Sequence, residues 1–262
     1  MEFKNIICTV DDSVGIIKFN RPHVLNSFNS EMSFEVRSAL MDLSINQSVR
    51  CILITGEGKG FCAGQDLSEA IPETGDPPPI NEIVKNTYNP LIKLLREIEK
   101  PIIAGVNGVA AGAGANIALA CDIVAASSEA SFIQSFSRIG LVPDSGGTFF
   151  LPRLIGLPRA AAFMMLGEKV TAEEAASIGM IYKVFPAENF SDDLIYFAKY
   201  VSKLPTKGLA LTKKALNQSF INDLNEQLDL EEQLQGEAGK TFDYNEGVKA
   251  FQEKRKPNFR GE

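Results

Sequence analysis

Short apolar runs alternate with amphipathic stretches along the first half of this 262-residue chain. Apolar and β-branched runs bounded by turn residues are typical of strands. They predict strands at Val14–Asn20, Cys51–Thr55, Pro101–Val106 and Asp122–Ala126. Helical spacing of apolar residues predicts helices between them, at Ser30–Leu43 and Gly112–Ala120. Strands interleaved with helices indicate βαβ units and a largely parallel sheet, so the expected fold class is α/β.

The middle of the chain contains a proline-rich break. Ile71–Ile80 carries too many prolines to hold a helix or a strand, so it predicts a mobile surface loop. The following stretch, Asn81–Lys100, has helical spacing and predicts a helix that is kinked at Pro90.

Helical patterns dominate the last third of the chain. Thr171-Ala-Glu-Glu174 has the Thr-x-x-Glu form of a helix capping box. Ser191–Phe259 predicts several amphipathic helices, with a basic tail at Lys254–Lys256. We therefore expect a core over residues 1–190 and a helical region over residues 191–262 that serves assembly.

The charge balance and the hydropathy limit the classes of partner. The chain has 26 basic and 33 acidic side chains, and its net charge of −7 argues against nucleic acid or an anionic membrane as the main partner. The first residues lack a signal-peptide pattern, and no segment approaches the roughly 20 apolar residues needed to span a bilayer. We expect a cytoplasmic protein.

Cysteine and histidine offer little chemistry in this sequence. Cys8, Cys51, Cys62 and Cys121 are widely spaced and form no CxxC pair, which predicts reduced thiols. Cys62 lies beside a glycine turn, but the chain has only one histidine, His23, to activate it, so a small buried thiol is the favoured interpretation. One histidine also cannot build a His-rich metal site. We predict no metal site.

Two turns rich in small residues each follow a predicted strand. Phe61–Leu67 comes after Cys51–Thr55, and Gly108–Asn116 comes after the strand that ends near Val106. Turns at the carboxyl ends of strands bind ligands in α/β sheets, and their free N–H groups suit a phosphate or a developing oxyanion. The second turn does not fit the dinucleotide-binding fingerprint, because Ile117 stands where that fingerprint requires Gly or Ala. The alternative that both are only tight packing turns stays open.

One carboxylate lies between an apolar run and a double glycine. Gly140–Phe150 reads GLVPDSGGTFF and places Asp144 there. Asp stabilises turns through its own backbone, so a structural interpretation is available. Its apolar neighbours, including Pro143 and Phe149, are expected to desolvate the carboxylate and raise its pKa above about 3.9, which suits acid/base work.

Seven motifs, in order along nearly the whole chain, resemble those of the enoyl-CoA hydratase/isomerase (crotonase) superfamily. They are Arg21–Ser27, Gly60–Leu67, Lys100–Gly108, Ala111–Asn116, Cys121–Ile123, Gly140–Thr148 and Glu246–Lys256. The resemblance implies a crotonase-like spiral of ββα units and a helical C-terminal trimerisation region, usually in a dimer of trimers. It also implies acyl-CoA thioester substrates and no permanently bound cofactor, because CoA enters as part of the substrate.

The same resemblance assigns the reacting groups. Family members bind the thioester oxygen between two backbone N–H groups, which by motif position are those of Ala63 and Ala113. Hydratases of the family carry two glutamates at the positions held here by Asn116 and Phe136, neither of which can accept a proton from water. Asp144 occupies the position from which some isomerases supply an acid/base carboxylate. The resemblance therefore implies a one-carboxylate isomerase.

Within the family the motifs most resemble the subgroup that isomerises ring-1,2-epoxyphenylacetyl-CoA and also shifts double bonds in unsaturated acyl-CoAs. The implied substrate-binding residues are Leu25, Gln65, Asp66, Leu67, Asn116, Phe136, Pro143, Phe251 and Lys254. The last two match a motif that reaches the nucleotide portion of CoA, often across subunits. A solvated helix end is an equal alternative for Lys254–Lys256.

Rival functions remain open from the sequence. One is a hydratase in which Asp144 alone activates water, and another is a non-catalytic CoA-binding protein that has lost both glutamates. A dehalogenase of the same fold is disfavoured, because His23 lies in a different motif and the chain has no tryptophan.

Overall fold

The computed structural model describes residues 3–70 and 78–262. Most of the proline-rich segment that predicted a mobile loop therefore lies outside the described residues. The described strands are β1 (Ile6–Asp11), β2 (Val14–Phe19), β3 (Cys51–Gly56), β4 (Gly60–Cys62), β5 (Ile102–Val106), β6 (Val109–Ala111), β7 (Ile123–Ser127), β8 (Ser131–Ile133), β9 (Lys169–Thr171) and β10 (Lys183–Phe185).

The strands form two sheets, and the chain passes repeatedly from one to the other. The larger sheet has the order β1-β2-β3-β5-β7-β10, in which β1 and β2 pair antiparallel and the rest pair parallel. The smaller sheet has the order β4-β6-β8-β9, with β8 and β9 antiparallel. Strands β3, β5 and β7 are each followed by a short strand of the smaller sheet and then by helix. This is the spiral of ββα units that the resemblance implied.

The helices lie between these strand pairs and then fill the C-terminal part of the chain. They are α1 (Ser30–Ile45), α2 (Leu67–Ala70), α3 (Ile80–Ile83), α4 (Asn89–Glu97), α5 (Ala113–Leu119), α6 (Gly147–Ile155), α7 (Leu157–Leu166), α8 (Ala172–Ser177), α9 (Phe190–Ser202), α10 (Thr206–Gln218), α11 (Leu224–Ala238) and α12 (Phe242–Gln252). One half of the predicted capping box is present, since the Thr171 hydroxyl accepts the Glu174 N–H at 3.2 Å. The boundary between residues 190 and 191 stays a prediction.

A π-helical turn interrupts the predicted helix immediately before α4, which contains Pro90. Val84–Tyr88 is π-helical and joins α3 to α4, whose first turn contains Pro90. Proline has no N–H to donate along a helix, so the regular hydrogen bonding changes immediately before it. π-helical turns are frequent at functional sites.

The larger sheet is buried on both faces. Along β3, Ile52 and Ile54 point into the main core with α1 and α4, while Cys51 and Leu53 pack with α9 in a second cluster. This explains why the parallel strands are continuous apolar runs rather than alternating ones.

A buried charge cluster attaches α10 to the core. Asp122 accepts from Lys213 Nζ at 2.9 Å, from Arg96 Nη1 at 2.9 Å and from the Ile102 N–H at 2.9 Å. The Lys213 side chain is 6% exposed. Its charge therefore depends on a partner inside the protein, because water does not reach it.

We expect Asp122→Asn to lower the free energy of unfolding by about 3–5 kcal/mol, because it leaves two cations without their carboxylate. Urea denaturation measures the change. Glu99→Gln is the matched control: it breaks the exposed pair with Lys207, and the expected loss is below about 1 kcal/mol. Equal losses in the two variants would contradict a structural role for the buried cluster.

Candidate active site

Two turns touch through their backbones at the centre of the candidate site. Gly64 has φ +98°, and a Cβ there would lie 3.0 Å from the Ala111 carbonyl oxygen. A Cβ on Gly114 would collide with the Cys62 carbonyl group. Only glycine permits this approach, because any side chain would separate the two turns. We call the turn after β4, within Phe61–Leu67, the first glycine turn and the turn after β6, within Gly108–Asn116, the second glycine turn.

The Gly64–Gln65 peptide has a fixed direction. Phe28 donates its N–H to the Gly64 carbonyl at 2.7 Å and accepts the Asp66 N–H at 2.9 Å. A trans peptide points its N–H opposite to its carbonyl, so the Gln65 N–H points away from Phe28. No hydrogen bond of the described residues uses this N–H.

The assignment of Ala63 as an oxyanion donor is wrong. The Ala63 N–H donates to the Leu25 carbonyl at 3.0 Å and is therefore occupied. The free N–H lies two residues on, at Gln65, because the chain turns at Gly64, which has φ +98°. Counting from the glycine alone does not reveal this, because the occupied donor depends on a partner at Leu25.

Ala113 supplies a second free donor. It is the first residue of α5, where a helical N–H has no acceptor within its own helix. The preceding Gly112 has φ +52°, which turns the chain from β6 into the helix. A Cβ on Gly64 would lie 3.8 Å from the Ala113 nitrogen, so the two turns bring both donors to the same place.

Asp144 lies on a strained turn that opens α6. Ser145 has φ +52° and Gly146 has φ +74°, and the Gly147 N–H returns to the Asp144 carbonyl at 2.9 Å. Positive φ at a serine is uncommon and occurs mainly where the surroundings impose it. The Ser145 hydroxyl donates to Asp144 Oδ1 at 2.8 Å. Burial raises the pKa of Asp144, and the hydrogen bond from Ser145 opposes that rise, which confirms the predicted direction.

Asn116 connects the acid to the second glycine turn. Its Nδ2 donates to the Asp144 backbone carbonyl at 2.9 Å, and its Oδ1 accepts from Gln134 Nε2 at 2.8 Å. Asn116 is 0% exposed, so it offers no surface to a ligand, and its assignment to substrate binding is corrected to support of the Asp144 turn. Sequence reasoning missed Gln134, which carries no motif signal of its own.

Phe136 borders the second turn. It lies in the 3₁₀ helix Ser135–Ile139, is 6% exposed, and its ring comes within 3.8 Å of the position that a Cβ on Gly112 would take. Pro143 is half-buried beside Asp144. An apolar ring therefore stands near the donors where the family's hydratases carry a glutamate.

The remaining predicted residues separate into those near the first turn and those far from it. Leu25 and Leu67 are exposed at that turn. Asp66 is buried and pairs with Arg21 at 2.7 Å and with the Ser68 hydroxyl at 2.6 Å, so its carboxylate is used within the protein and its substrate role is corrected to a structural one. Burial would raise the pKa of Asp66, but Ser68 and Arg21 together lower it.

Phe251 and Lys254 are not brought to the glycine turns within this chain. Phe251 is 86% exposed on α12, and Lys254 follows that helix with φ +54°. Among the described residues, no hydrogen bond or ion pair joins either side chain to the first or second turn. Their contact with CoA stays a prediction.

Other chemistries find little support in the described part of the chain. No group of three His, Cys, Asp or Glu side chains there is placed to hold a metal ion. Burial raises the pKa of Cys62 to about 12, so its thiol stays protonated. None of the described helices is long and apolar enough to cross a membrane.

Two free backbone donors and a desolvated carboxylate, whose backbone is bonded to α5, are the kinds of group that suit oxyanion stabilisation and proton transfer. Residues 9–262 match the family described as enoyl-CoA hydratase/isomerase, and the chain belongs to it. Members of this family are enzymes that act on acyl-CoA thioesters.

Two relatives and one solved structure show the range within the family. A 1,2-epoxyphenylacetyl-CoA isomerase from Escherichia coli (strain K12) is 45% identical over 262 residues, which are 100% of this chain and 99% of the relative. A probable enoyl-CoA hydratase from Rhodobacter capsulatus is 40% identical over 100% of both chains. The crystal structure of an enoyl-CoA hydratase subunit I from Geobacillus kaustophilus HTA426 matches with a TM-score of 0.92, 34% identity and 100% of both chains.

We expect Asp144→Asn to raise the free energy of unfolding at pH 7. The folded state keeps the Asp144 carboxyl protonated to a higher pH than the unfolded chain does. Ionisation of Asp144 therefore costs stability above its raised pKa. The gain should shrink as pH falls toward 3.8, where the unfolded carboxyl also protonates. Urea denaturation across this pH range measures it. Asp229→Asn on exposed α11 is the control and should change stability by less than about 0.5 kcal/mol; a lower stability of Asp144→Asn at pH 7 would contradict the desolvation.

Proposed function

We propose that the chain is an acyl-CoA isomerase that moves a proton with one carboxylate, Asp144, while the N–H groups of Gln65 and Ala113 bind the thioester oxygen. The observation that carries this proposal is the bond from Asn116 to the Asp144 backbone, at 2.9 Å. It ties the carboxylate to α5, whose first residue is the donor Ala113. Donor and base are therefore supported by one short helix.

The reaction follows from these groups. Hydrogen bonds to the thioester oxygen stabilise the enolate that forms when a proton leaves C2. Asp144 takes this proton, the double bond moves from C3–C4 to C2–C3, and Asp144 returns the proton to C4. Its raised pKa brings it closer to the operating pH, which favours both steps. Asn116 and Phe136 supply no second acid or base.

For the substrate we propose ring-1,2-epoxyphenylacetyl-CoA, with unsaturated acyl-CoAs as further substrates. The support is the 45% identity to the isomerase of that compound and the apolar ring of Phe136 beside the donors. An aromatic side chain suits a six-membered ring because ring pairs attract at their edges and faces.

Hydratase activity is the second candidate, and the probable hydratase at 40% identity favours it. It would need Asp144 alone to activate water. Fast hydration of crotonyl-CoA would support this alternative, whereas CoA binding without any turnover would mark a non-catalytic homologue.

We also propose that CoA is held along Leu25 and Leu67, and by Phe251 and Lys254 of a neighbouring subunit in a trimer or a dimer of trimers. The support is the exposure of apolar side chains on the C-terminal helices and in the turn between α10 and α11, where water is an unfavourable neighbour. They are Leu216, Phe220, Ile221, Leu224, Leu228 and Phe251.

Asp144→Asn should lower kcat for conversion of 3-enoyl-CoA to 2-enoyl-CoA at least about 100-fold, because the amide cannot accept a proton. The reaction is measured by the absorbance of the conjugated product. The ring epoxide is then tested as a substrate of the parent protein and of the variant. Unimpaired turnover by the variant would contradict the acid/base role of Asp144 and leave it a structural role in the turn.

Ala113→Pro should lower kcat about 10²–10³-fold, because it removes one donor to the thioester oxygen. Proline is tolerated at the first residue of a helix, so the fold should survive, and circular dichroism checks this. Full activity of a folded Ala113→Pro would contradict the assignment of this donor.

A further inference from the structure

Tyr88 is the largest fully buried side chain beside the first glycine turn. It ends the π-helical turn Val84–Tyr88 and is 1% exposed. Its ring stacks on Phe28, with centroids 5.8 Å apart and planes 30° apart. Phe28 is the residue whose backbone fixes the direction of the Gly64–Gln65 peptide.

The Tyr88 hydroxyl also forms a hydrogen bond with the side chain of Gln65, the second residue of that peptide. Tyr88 Oη donates to Gln65 Oε1 at 2.7 Å. Gln65 Nε2 donates to the Asp66 carbonyl and to Glu69 Oε2, each at 3.2 Å, and Glu69 in turn accepts the Ser30 N–H. The Gln65 side chain is therefore held at both ends, and Tyr88 contacts both partners of the Phe28–Gln65 bridge.

The phenol is a permanent donor in this place. Burial raises the pKa of Tyr88 well above its ordinary value, and nearby Cys62 and the carboxylates of Asp144, Glu69 and Asp66 raise it further. A neutral phenol can donate to the amide oxygen at any physiological pH, so Gln65 has one stable orientation. Since Tyr88 has almost no accessible surface, it does not touch substrate.

We propose that Tyr88 is a positioning residue, which through the Gln65 side chain and the Phe28 ring aims the Gln65 N–H at the thioester oxygen. This inference rests on the proposed function of the Gln65 N–H. An oxyanion donor acts through its distance and direction, so a small rotation of the peptide weakens it without removing it. Phe28 holds this peptide through backbone hydrogen bonds, and the Tyr88 hydroxyl adds a hydrogen bond to the side chain of the donor residue itself.

Tyr88→Phe tests this, because it keeps the ring and its stack on Phe28 and removes only the hydroxyl. We expect kcat for 3-enoyl-CoA isomerisation to fall about 10-fold, a part of the 10²–10³-fold that loss of a whole donor costs, with KM changed less than about 2-fold. The carbonyl stretch of a bound unsaturated acyl-CoA, measured by infrared difference spectroscopy, should shift less from its solution frequency than in the parent protein.

Tyr182→Phe is the matched control. Tyr182 is stacked on Phe197 at 6.0 Å and 22°, but it lies on an exposed part of the surface away from both glycine turns. Its loss of a hydroxyl should change neither kcat nor the carbonyl frequency. Gln65→Leu keeps the backbone N–H and breaks the same bond, so its effect and that of Tyr88→Phe should not add in the double variant.

The outcomes separate the two proposals. A parent protein that turns over substrate and shifts the carbonyl frequency, with both retained in Tyr88→Phe, overturns the role of Tyr88 alone. A parent protein that leaves the carbonyl frequency unshifted overturns the oxyanion site itself, and the inference with it. A loss of kcat and of the carbonyl shift in Tyr88→Phe, in a variant that urea denaturation shows to be folded under the assay conditions, supports positioning over a merely structural role when Tyr182→Phe changes neither.

Discussion

The contact between two backbone segments, Gly64 against Ala111 and Gly114 against Cys62, is the constraint on which the site depends. Each segment follows a strand of the smaller sheet, and these strands pair in parallel. The parallel pairing brings the two strand ends to the same edge, and glycine lets them touch. This approach brings together the two turns that carry the free N–H groups of Gln65 and Ala113. The spiral of ββα units is what delivers the two turns to one place.

Helix α5 connects Asp144 to this contact through Asn116. Ala113 and Asn116 lie three residues apart in α5, on one face and about 4.5 Å apart along the helix axis. One end of this span carries the proposed donor to the thioester oxygen, and the other end supports the Asp144 turn. The amide of Asn116 donates to the Asp144 backbone and accepts from Gln134 at once, which a carboxylate could not do.

The sequence and its family resemblance predict the spiral and the raised pKa of Asp144, but not which hydrogen bonds connect the residues of the site. Apolar runs located β2, β3, β5 and β7 to within one residue or so at each end, because strands buried on both faces are unambiguous. The short strands of the smaller sheet carry too few residues for a pattern, and only the family resemblance implied them. Ala63 was misassigned and Gln65 missed as a donor, since which N–H is free depends on Leu25 and Phe28, distant partners that spacing does not reveal. Tyr88 and Gln134 were missed for the same reason: each acts through one tertiary hydrogen bond.

The central claim is that one carboxylate both removes and returns the proton. The most direct test is isomerisation of 3-enoyl-CoA carrying deuterium at C2, in ordinary water, with the product of the first turnovers examined by mass spectrometry and NMR. A single, partly desolvated Asp144 predicts that a measurable fraction of the deuterium appears at C4. Complete loss of the label to solvent, with only hydrogen at C4 from the earliest time points, would contradict a one-carboxylate transfer and point to a second, solvent-linked acid.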